Sequence, residues 1–262
     1  MNKLVDKSLP IRDPGLAAAF LFFLALRIFA HFRFPALSRD GCYYLMLVQR
    51  WLESGNFDVL MNTPDFWIPP LPLFMMKLLV GCGFSLEFAG VGLNILLGSL
   101  LPLVVFLITN ELCTNRKIAW GAMLLCGVNP SMITLSIDPL RDMPYLFFAG
   151  CFLWQLCVAA RRPHWRPWCL SGCFFALALL SRYEAAEMLL LVFAALAAGA
   201  AYKTISWRRA AVFGLLYLAA VSATFLILTL CIQNPGGVIR YYTRYMTWQT
   251  GRVAPPPPPE SE

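Results

Sequence analysis

Long apolar runs alternate with short polar segments along most of the chain. Most of these runs approach or exceed the roughly 20 residues with which a helix crosses a bilayer. Their apolar residues are continuous and do not alternate with polar ones, which favours helices over a membrane barrel. We therefore predict an all-α, multi-pass transmembrane protein with about seven spans. The predicted spans cover residues 15–32, 88–112, 118–135, 143–160, 168–180, 185–202 and 210–232.

The first polar segment, residues 33–87, is long for a membrane protein and contains two predicted helices. Residues 41–54 have the period of an amphipathic helix, which Gly55 ends and which is expected to lie on the membrane surface. Residues 73–84 are too short to span a bilayer and contain Lys77, so they predict an interfacial or re-entrant helix. The apolar face of the first helix is predicted to consist of Tyr44, Leu47, Val48, Trp51 and Leu52.

Two features inside the predicted spans, a proline and an arginine, each lead to a separate structural prediction. Asn129 and Pro130 interrupt the third span, where proline removes a helix hydrogen bond, so they predict a kink or an early end. Arg27 lies near the outer end of the first span. An arginine in that position is expected to reach towards the membrane surface or to pair with another helix.

The composition agrees with a membrane protein and argues against several other classes of protein and of site. Of the 262 residues, 59% are hydrophobic and 13% are charged, whereas about a quarter of a soluble domain is charged. The net charge of +7 comes from dispersed basic residues without an aromatic stripe, so we expect no nucleic-acid partner. Eight of the nine cysteines lie in or beside apolar runs, no CxxC pair is present, and there are only two histidines. The sequence thus predicts no disulfide framework, no cofactor and no metal site, although a divalent metal is left open.

Basic residues concentrate in the short turns on one side of the predicted spans. With the N-terminus taken as cytoplasmic, that side receives eleven of the 21 lysines and arginines. We therefore expect a protein of the cytoplasmic (inner) membrane, with a cytoplasmic N-terminus and with the first long loop and the C-terminus outside. Residues 1–253 form one predicted transmembrane domain, and residues 254–262 form a proline-rich disordered tail.

The predicted topology brings carboxylates and arginines from three separate segments to the extracytoplasmic side. Ionisable residues at a membrane boundary usually have a partner or a function, so their shared side predicts a polar cavity. A carboxylate there is suited to act as a general base, and an arginine is suited to hold a phosphate. With an apolar groove beside it, this cavity indicates transfer chemistry on a lipid phosphate. The residues are Asp40, Asp138, Arg141, Asp142, Arg182 and Glu184.

These residues also have purely structural interpretations. Asp40 and Asp142 lie at the starts of predicted helices, where an aspartate often caps the helix. Arg182 and Glu184 are alternatively an interfacial ion pair, with Tyr183 in the aromatic belt of the membrane. The shared side of the charges, and not any single motif, favours a functional interpretation.

Four short motifs occur in a fixed order within residues 15–202. They are RDGCYY at residues 39–44, PPLPLF at 69–74, NP at 129–130 followed by RDMPYLFF at 141–148, and LSRYE at 180–184. In order, spacing and sidedness they resemble the multi-pass GT-C glycosyltransferases that use polyprenyl-phosphate sugars. That group holds the protein O-mannosyltransferases and the lipid A aminoarabinose transferases.

The resemblance implies roles for individual residues. Asp40 would be the catalytic base, and Asp142 would be the acid of the second outer loop. Arg182 and Lys77 would be the candidates to contact the donor phosphate. Gly41 stands where the family pattern has a second acid directly after the first. Further substrate contacts are expected from Arg39, Tyr44, Asp138, Arg141 and Glu184.

The expected function is that of an inverting membrane glycosyltransferase. It would move a sugar from an undecaprenyl- or dolichyl-phosphate donor to an extracytoplasmic lipid, glycan or protein. Besides the donor and membrane lipid, a partner subunit is an expected partner, because most relatives continue beyond about seven spans. The chain would then be a minimal transferase, one half of a complex or a truncated product. The alternative is a catalytically degenerate member that serves as a scaffold or lipid-binding subunit. A small transporter ranks last, because the spans show no inverted repeat or pair of broken helices.

Overall fold

The computed structural model describes residues 13–35, 37–57, 69–113, 115–162 and 164–232, which form helices and short connections without a strand. The predicted all-α fold is therefore confirmed. Residues 1–12, Asp58, Asp65 and the predicted tail at 254–262 lie outside the described residues. The helices are α1 (Pro14–Arg33), α2 (Arg39–Ser54), α3 (Pro70–Gly81), α4 (Leu86–Leu112), α5 (Arg116–Val128), α6 (Pro130–Ser136), α7 (Asp142–Arg161), α8 (Trp165–Ser181), a 3-10 helix (Tyr183–Met188), α9 (Leu189–Ala201) and α10 (Trp207–Cys231).

Polar side chains directly before the helices fix where most of them begin. A side-chain oxygen, or in one case an imidazole nitrogen, accepts a hydrogen bond from a backbone N–H of the first turn that has no partner within the helix. Helices α1, α3 and α6 also have a proline in the first turn. A backbone N–H at that position would have no partner within the helix, so its absence in proline costs no hydrogen bond. The capping residues are Asp13, Ser38, Ser85, Asn115, Asn129, His164 and Ser206.

In the described part of the chain, five helices are long and apolar enough to cross a membrane, or six if α5 and α6 together count as one span. These two helices meet at an angle of 57°, and the bend falls at Asn129 and Pro130, as predicted. Helix α8 has 17 residues and is not among these spans. The multi-pass character is therefore confirmed, whereas the predicted number of about seven spans is not.

Helix α4 lies at the centre of the bundle. Of its most apolar window 61% is buried, compared with 17% for α1 and 11% for α10. It packs against α1, α3, α5, α6 and α7, while α7, α8 and α10 form a second packed group. Within that group Gly172 of α8 permits close approach to α10, because a β-carbon there would lie 2.7 Å from the backbone oxygen of Tyr217.

Helix α2 is the amphipathic helix that the sequence predicts, and it packs against α3 and α4. Four of the five residues predicted for its apolar face are buried, but Leu52 is exposed. The predicted face was one residue too wide, because each residue turns the helix by about 100° and Leu52 follows the buried Trp51 directly. Gly55 ends the helix in the left-handed conformation with φ of 68°, which confirms the predicted stop.

The connections place several helix ends together. Only residues 162–164 join α7 to α8, so the two helices run antiparallel and the start of α7 lies beside the end of α8. The start of α2 meets the loop at residues 137–141, which precedes α7. We call this end of the bundle the site end. The opposite end, where residues 162–164 connect α7 to α8, is called the far end.

Candidate active site

Arg182 joins two carboxylates at the site end. Its Nη1 donates a hydrogen bond to Oδ1 of Asp142, and its Nη2 donates to Oε1 of Glu184 at 3.2 Å. The guanidinium carbon also lies 5.7 Å from the ring centre of Tyr145, in a cation–π contact. The side chains of Arg182 and Asp142 are 30% and 27% exposed, so this pair is more enclosed than an ordinary surface ion pair.

The packing of α7 against α8 brings this network together. Asp142 is the first residue of α7, and Arg182 follows the last residue of α8 in extended backbone with φ of −154°. The structural interpretation of Asp142 as a helix cap is wrong, because the cap position belongs to Arg141 and no side chain caps this helix. The predicted pairing of Arg182 with Glu184 is confirmed, and Asp142 is an additional partner.

The network also raises the pKa of Arg182. Burial opposes a charge on this side chain, but the hydrogen bond with Glu184 and the charges of Asp142 and Glu184 outweigh it. Like arginine side chains in general, Arg182 is cationic at physiological pH. It provides a fixed positive charge beside the start of α7.

Asp40 lies in the first turn of α2 and is exposed. It does not cap the helix, because Ser38 has that role: its Oγ accepts a hydrogen bond from the backbone N–H of Gly41 at 2.9 Å. The interpretation of Asp40 as the cap is therefore wrong. Its carboxylate is accessible in the first turn of the helix.

Gly41 and Asp138 are in direct contact. A β-carbon at Gly41 would overlap Oδ1 of Asp138 and would lie 3.0 Å from Cδ of Pro139. The same oxygen accepts a hydrogen bond from the backbone N–H of Ser38 at 3.4 Å. The loop before α7 thus packs against the start of α2 without space for a side chain at residue 41. The Asp138 carboxylate fills that space.

Asn94 of α4 holds this loop in place, and the sequence analysis missed it. Its side-chain amide donates hydrogen bonds to the backbone oxygens of Asp138 and Leu140. The side chain is fully buried. The available signal was an amide within a long apolar span, since a buried polar group of this kind needs specific partners.

Tyr44 lies near the start of α2 and is 7% exposed, and burial raises the pKa of its phenol. Four charges also act on this pKa: those of Arg141 and Arg182 lower it, and those of Asp142 and Asp40 raise it.

Two predicted site residues are not joined to this cluster by any contact among the described residues. Arg39 is the exposed first residue of α2. Lys77 of α3 lies over the Trp51 ring, with Nζ 4.2 Å from the ring centre, and burial lowers the pKa of its ammonium group. The role of each in binding substrate stays a prediction.

Arg27 of α1 is fully buried and connects three further segments. Its Nε donates to Oγ of Ser136 at 3.1 Å, and its Nη1 donates to the backbone oxygens of Phe23 and Gly127, both at 3.3 Å. Gly127 lies next to the α5–α6 bend, and Ser136 ends α6 just before the loop that contains Asp138. Arg27 is thus a helix-pairing residue and does not reach the membrane surface.

Within the ranges that the structure describes, no group of three histidine, cysteine, aspartate or glutamate side chains is placed to hold a metal ion. No curated protein and no solved structure matches the chain. A family model described as dolichyl-phosphate-mannose-protein mannosyltransferase matches residues 68–229, which is more than half of the chain. The match includes the loop before α7 and the Arg182 network, and it begins after Asp40. The chain therefore belongs to this family of membrane glycosyltransferases.

Proposed function

We propose that the protein transfers a sugar, with inversion, from a polyprenyl-phosphate donor to a hydroxyl or amine of an extracytoplasmic acceptor. Membership of a family of polyprenyl-phosphate-dependent mannosyltransferases supports the donor class. The observation that carries the assignment is the meeting of three segments at the site end. The start of α2, which contains Asp40, packs against the loop that contains Asp138, and Arg182 after α8 is hydrogen-bonded to Asp142 at the start of α7.

In the proposed reaction the carboxylate of Asp40 accepts the proton of the acceptor group. The acceptor heteroatom then bonds to the anomeric carbon of the sugar from the face opposite the lipid phosphate. The bond between that carbon and the phosphate oxygen breaks, so the configuration inverts and the polyprenyl phosphate leaves with the electron pair. Asp40 is accessible and lies in the first turn of α2, at the site end.

Arg182 is proposed to stabilise the charge that develops on the leaving phosphate. Arginine presents planar, paired donors to a phosphate. Its Nε has no acceptor among the described residues, so the guanidinium has a donor left beyond its bonds to Asp142 and Glu184. Asp142 and Glu184 would hold the side chain in position, and Arg141 would add a second positive charge.

The remaining site residues have supporting roles in this proposal. Tyr44, with a protonated phenol, would donate a hydrogen bond to the sugar or the phosphate. Asp138 would keep its carboxylate beside Asp40 in place of a side chain at Gly41. Arg39 and Lys77 would contact the donor headgroup, and the site end would face away from the cytoplasm of a cytoplasmic membrane.

The test is transfer by the purified chain from a labelled polyprenyl-phosphate mannose, with other polyprenyl-phosphate sugars in parallel. Asp40→Asn should lower kcat by about a hundredfold or more, because it removes the base and keeps the shape. Glu53→Gln on the same helix is the matched control, because Glu53 is exposed and, among the described residues, is hydrogen-bonded to Gln49 alone. Transfer by this variant should equal that of the wild type. Equal transfer by Asp40→Asn and wild type would reject the proposed base.

The second candidate is a non-catalytic, donor-binding family member, and Gly41 is the observation that favours it. Residue 41 holds no second acid, and its surroundings leave no space for one. Such a protein would bind polyprenyl-phosphate sugar without consuming it. Donor binding to the wild type with no product from any offered acceptor would support this alternative.

A further inference from the structure

A cavity of about 240 Å³ lies at the far end of the bundle, away from Asp142 and Arg182. It opens between α7, α8, α9 and the turn that follows α9. Small residues form much of its wall, so neighbouring helices leave space there that larger side chains would fill. They are Ala159, Ala160, Ala195, Ala198 and Gly199.

Trp168 lines the cavity and has a buried polar group. Its side chain is 2% exposed, and its Nε1 is buried without a hydrogen-bond acceptor among the described residues. A buried indole N–H usually has a partner. The ring stacks on Phe213 with centres 5.9 Å apart and planes 15° apart, which fixes its orientation. The cavity wall therefore includes a fixed aromatic ring whose donor lacks an acceptor within the described protein.

The turn after α9 closes one side of the cavity and is tied down. The backbone N–H groups of Thr204 and Ile205 and the hydroxyl group of Thr204 all donate to the backbone oxygen of Gly199, at 3.0, 3.2 and 2.9 Å. Lys203 adopts the left-handed conformation with φ of 55°, which turns the chain back over the helix end. The wall is thus built by specific bonds.

Six basic residues, which we call the basic rim, lie within four positions in sequence of residues that line the cavity. All six members are exposed, and none pairs with a carboxylate in the described part of the chain. Exposed arginine and lysine next to a membrane attract anionic headgroups. The rim consists of Arg161, Arg162, Arg166, Lys203, Arg208 and Arg209.

We propose that this cavity binds an anionic glycerophospholipid. The lipid phosphate would lie on the basic rim, and part of one acyl chain would lie against the small residues of the wall. An ester carbonyl at the boundary between the two would accept the hydrogen bond from Nε1 of Trp168. The site is separate from the proposed transferase site, because α7 has Asp142 at its first residue and Arg161 at its last, about 30 Å apart.

The proposal is tested with the purified full-length chain by native mass spectrometry of bound lipid, titrated with phosphatidylglycerol and, separately, with phosphatidylcholine. Wild type should prefer phosphatidylglycerol. The double change Arg162→Gln with Arg208→Gln should weaken phosphatidylglycerol binding by about tenfold and remove the preference. The double change Arg33→Gln with Arg50→Gln removes the same charge from exposed residues at the site end and should leave binding unchanged.

Two further changes probe the cavity wall. Ala198→Leu should fill the space and displace the acyl chain, whereas Ala197→Leu, one residue away on α9 and outside the lining, should not. Trp168→Phe keeps the aromatic ring, loses the donor and should weaken binding by about threefold to tenfold. Unchanged lipid binding by Ala198→Leu and Trp168→Phe would overturn the proposal. Equal competition by soluble glycerol 3-phosphate would also overturn it, since the occupant would then be a free phosphate ester.

Discussion

Gly41 lies directly against Asp138, and only glycine fits at residue 41, because a β-carbon there would overlap the Asp138 carboxylate. The glycosyltransferases that the chain resembles have a second acidic residue at the position of Gly41. In this protein the carboxylate next to residue 41 is that of Asp138, which lies in the loop before α7. Introducing an acidic residue at position 41 is therefore not expected to improve transfer activity.

Changes at Gly41 should destabilise the protein. Gly41→Ala is expected to lower the free energy of unfolding by about 1–3 kcal/mol, because Asp138 or Pro139 must move. Gly41→Glu should lower it further and should reduce transfer. Thermal unfolding in detergent micelles and transfer from a labelled donor measure the two effects.

Gly121→Ala is the matched control for Gly41. Gly121 lies in α5 with no atom near the place of a β-carbon, so alanine there should be neutral or slightly stabilising. If Gly41→Ala behaves like Gly121→Ala, the described contact with Asp138 is wrong.

Arg182→Lys should slow transfer although it keeps the charge. The guanidinium uses separate nitrogens for Asp142 and Glu184, and a single ammonium group on a flexible stem cannot reproduce that fork. We expect kcat to fall about tenfold or more, with a smaller change in KM for the donor, because the charge on the leaving phosphate develops in the transition state. Steady-state kinetics over a range of donor concentrations measures both.

The coupling between Asp142 and Arg182 is measurable in a double-mutant cycle with Asp142→Asn and Arg182→Gln. Because the two side chains are in contact and about 30% exposed, we expect a coupling free energy of about 0.5–3 kcal/mol in thermal unfolding. Additive effects of the two changes would show that the pair contributes nothing to stability.

Tyr44→Phe should lower transfer without changing the shape of the pH profile. Burial raises the pKa of the Tyr44 phenol above its ordinary value of 10.0, so the hydroxyl group keeps its proton below that pH and remains a hydrogen-bond donor. We expect a loss of about threefold to tenfold in kcat/KM at every pH from 6 to 9. An alkaline limb that disappears in Tyr44→Phe would show that the phenol titrates in this range.

Arg27→Met should reduce both stability and transfer, although Arg27 touches no predicted substrate contact. The change leaves the backbone oxygen of Gly127 and the hydroxyl group of Ser136 without this donor, next to the bend and the Asp138 loop. Ser136→Ala removes one of these bonds and should cost only about 0.5–1.5 kcal/mol in unfolding free energy. A wild-type unfolding temperature for Arg27→Met would contradict the role given to these hydrogen bonds.

The sequence by itself determined the fold class and most helix positions. Continuous apolar runs admit only helices in a bilayer, Asn129 and Pro130 specified the bend, and Gly55 specified the end of α2. These are local effects of backbone hydrogen bonding and solvation. Pattern alone did not fix the number of spans, because a helix of 17 residues such as α8 lies at the limit of the bilayer thickness.

Only the tertiary structure decided which side chains meet at the site end. The sequence placed Asp142 and Arg182 on one side of a predicted membrane, but their hydrogen bond depends on how α7 packs against α8. The same holds for Gly41. In the sequence it stands where the family pattern has a second acid, whereas in the structure it is in contact with Asp138. Such contacts join residues about forty to a hundred positions apart, and their geometry follows from side-chain packing across helices, which no local pattern records.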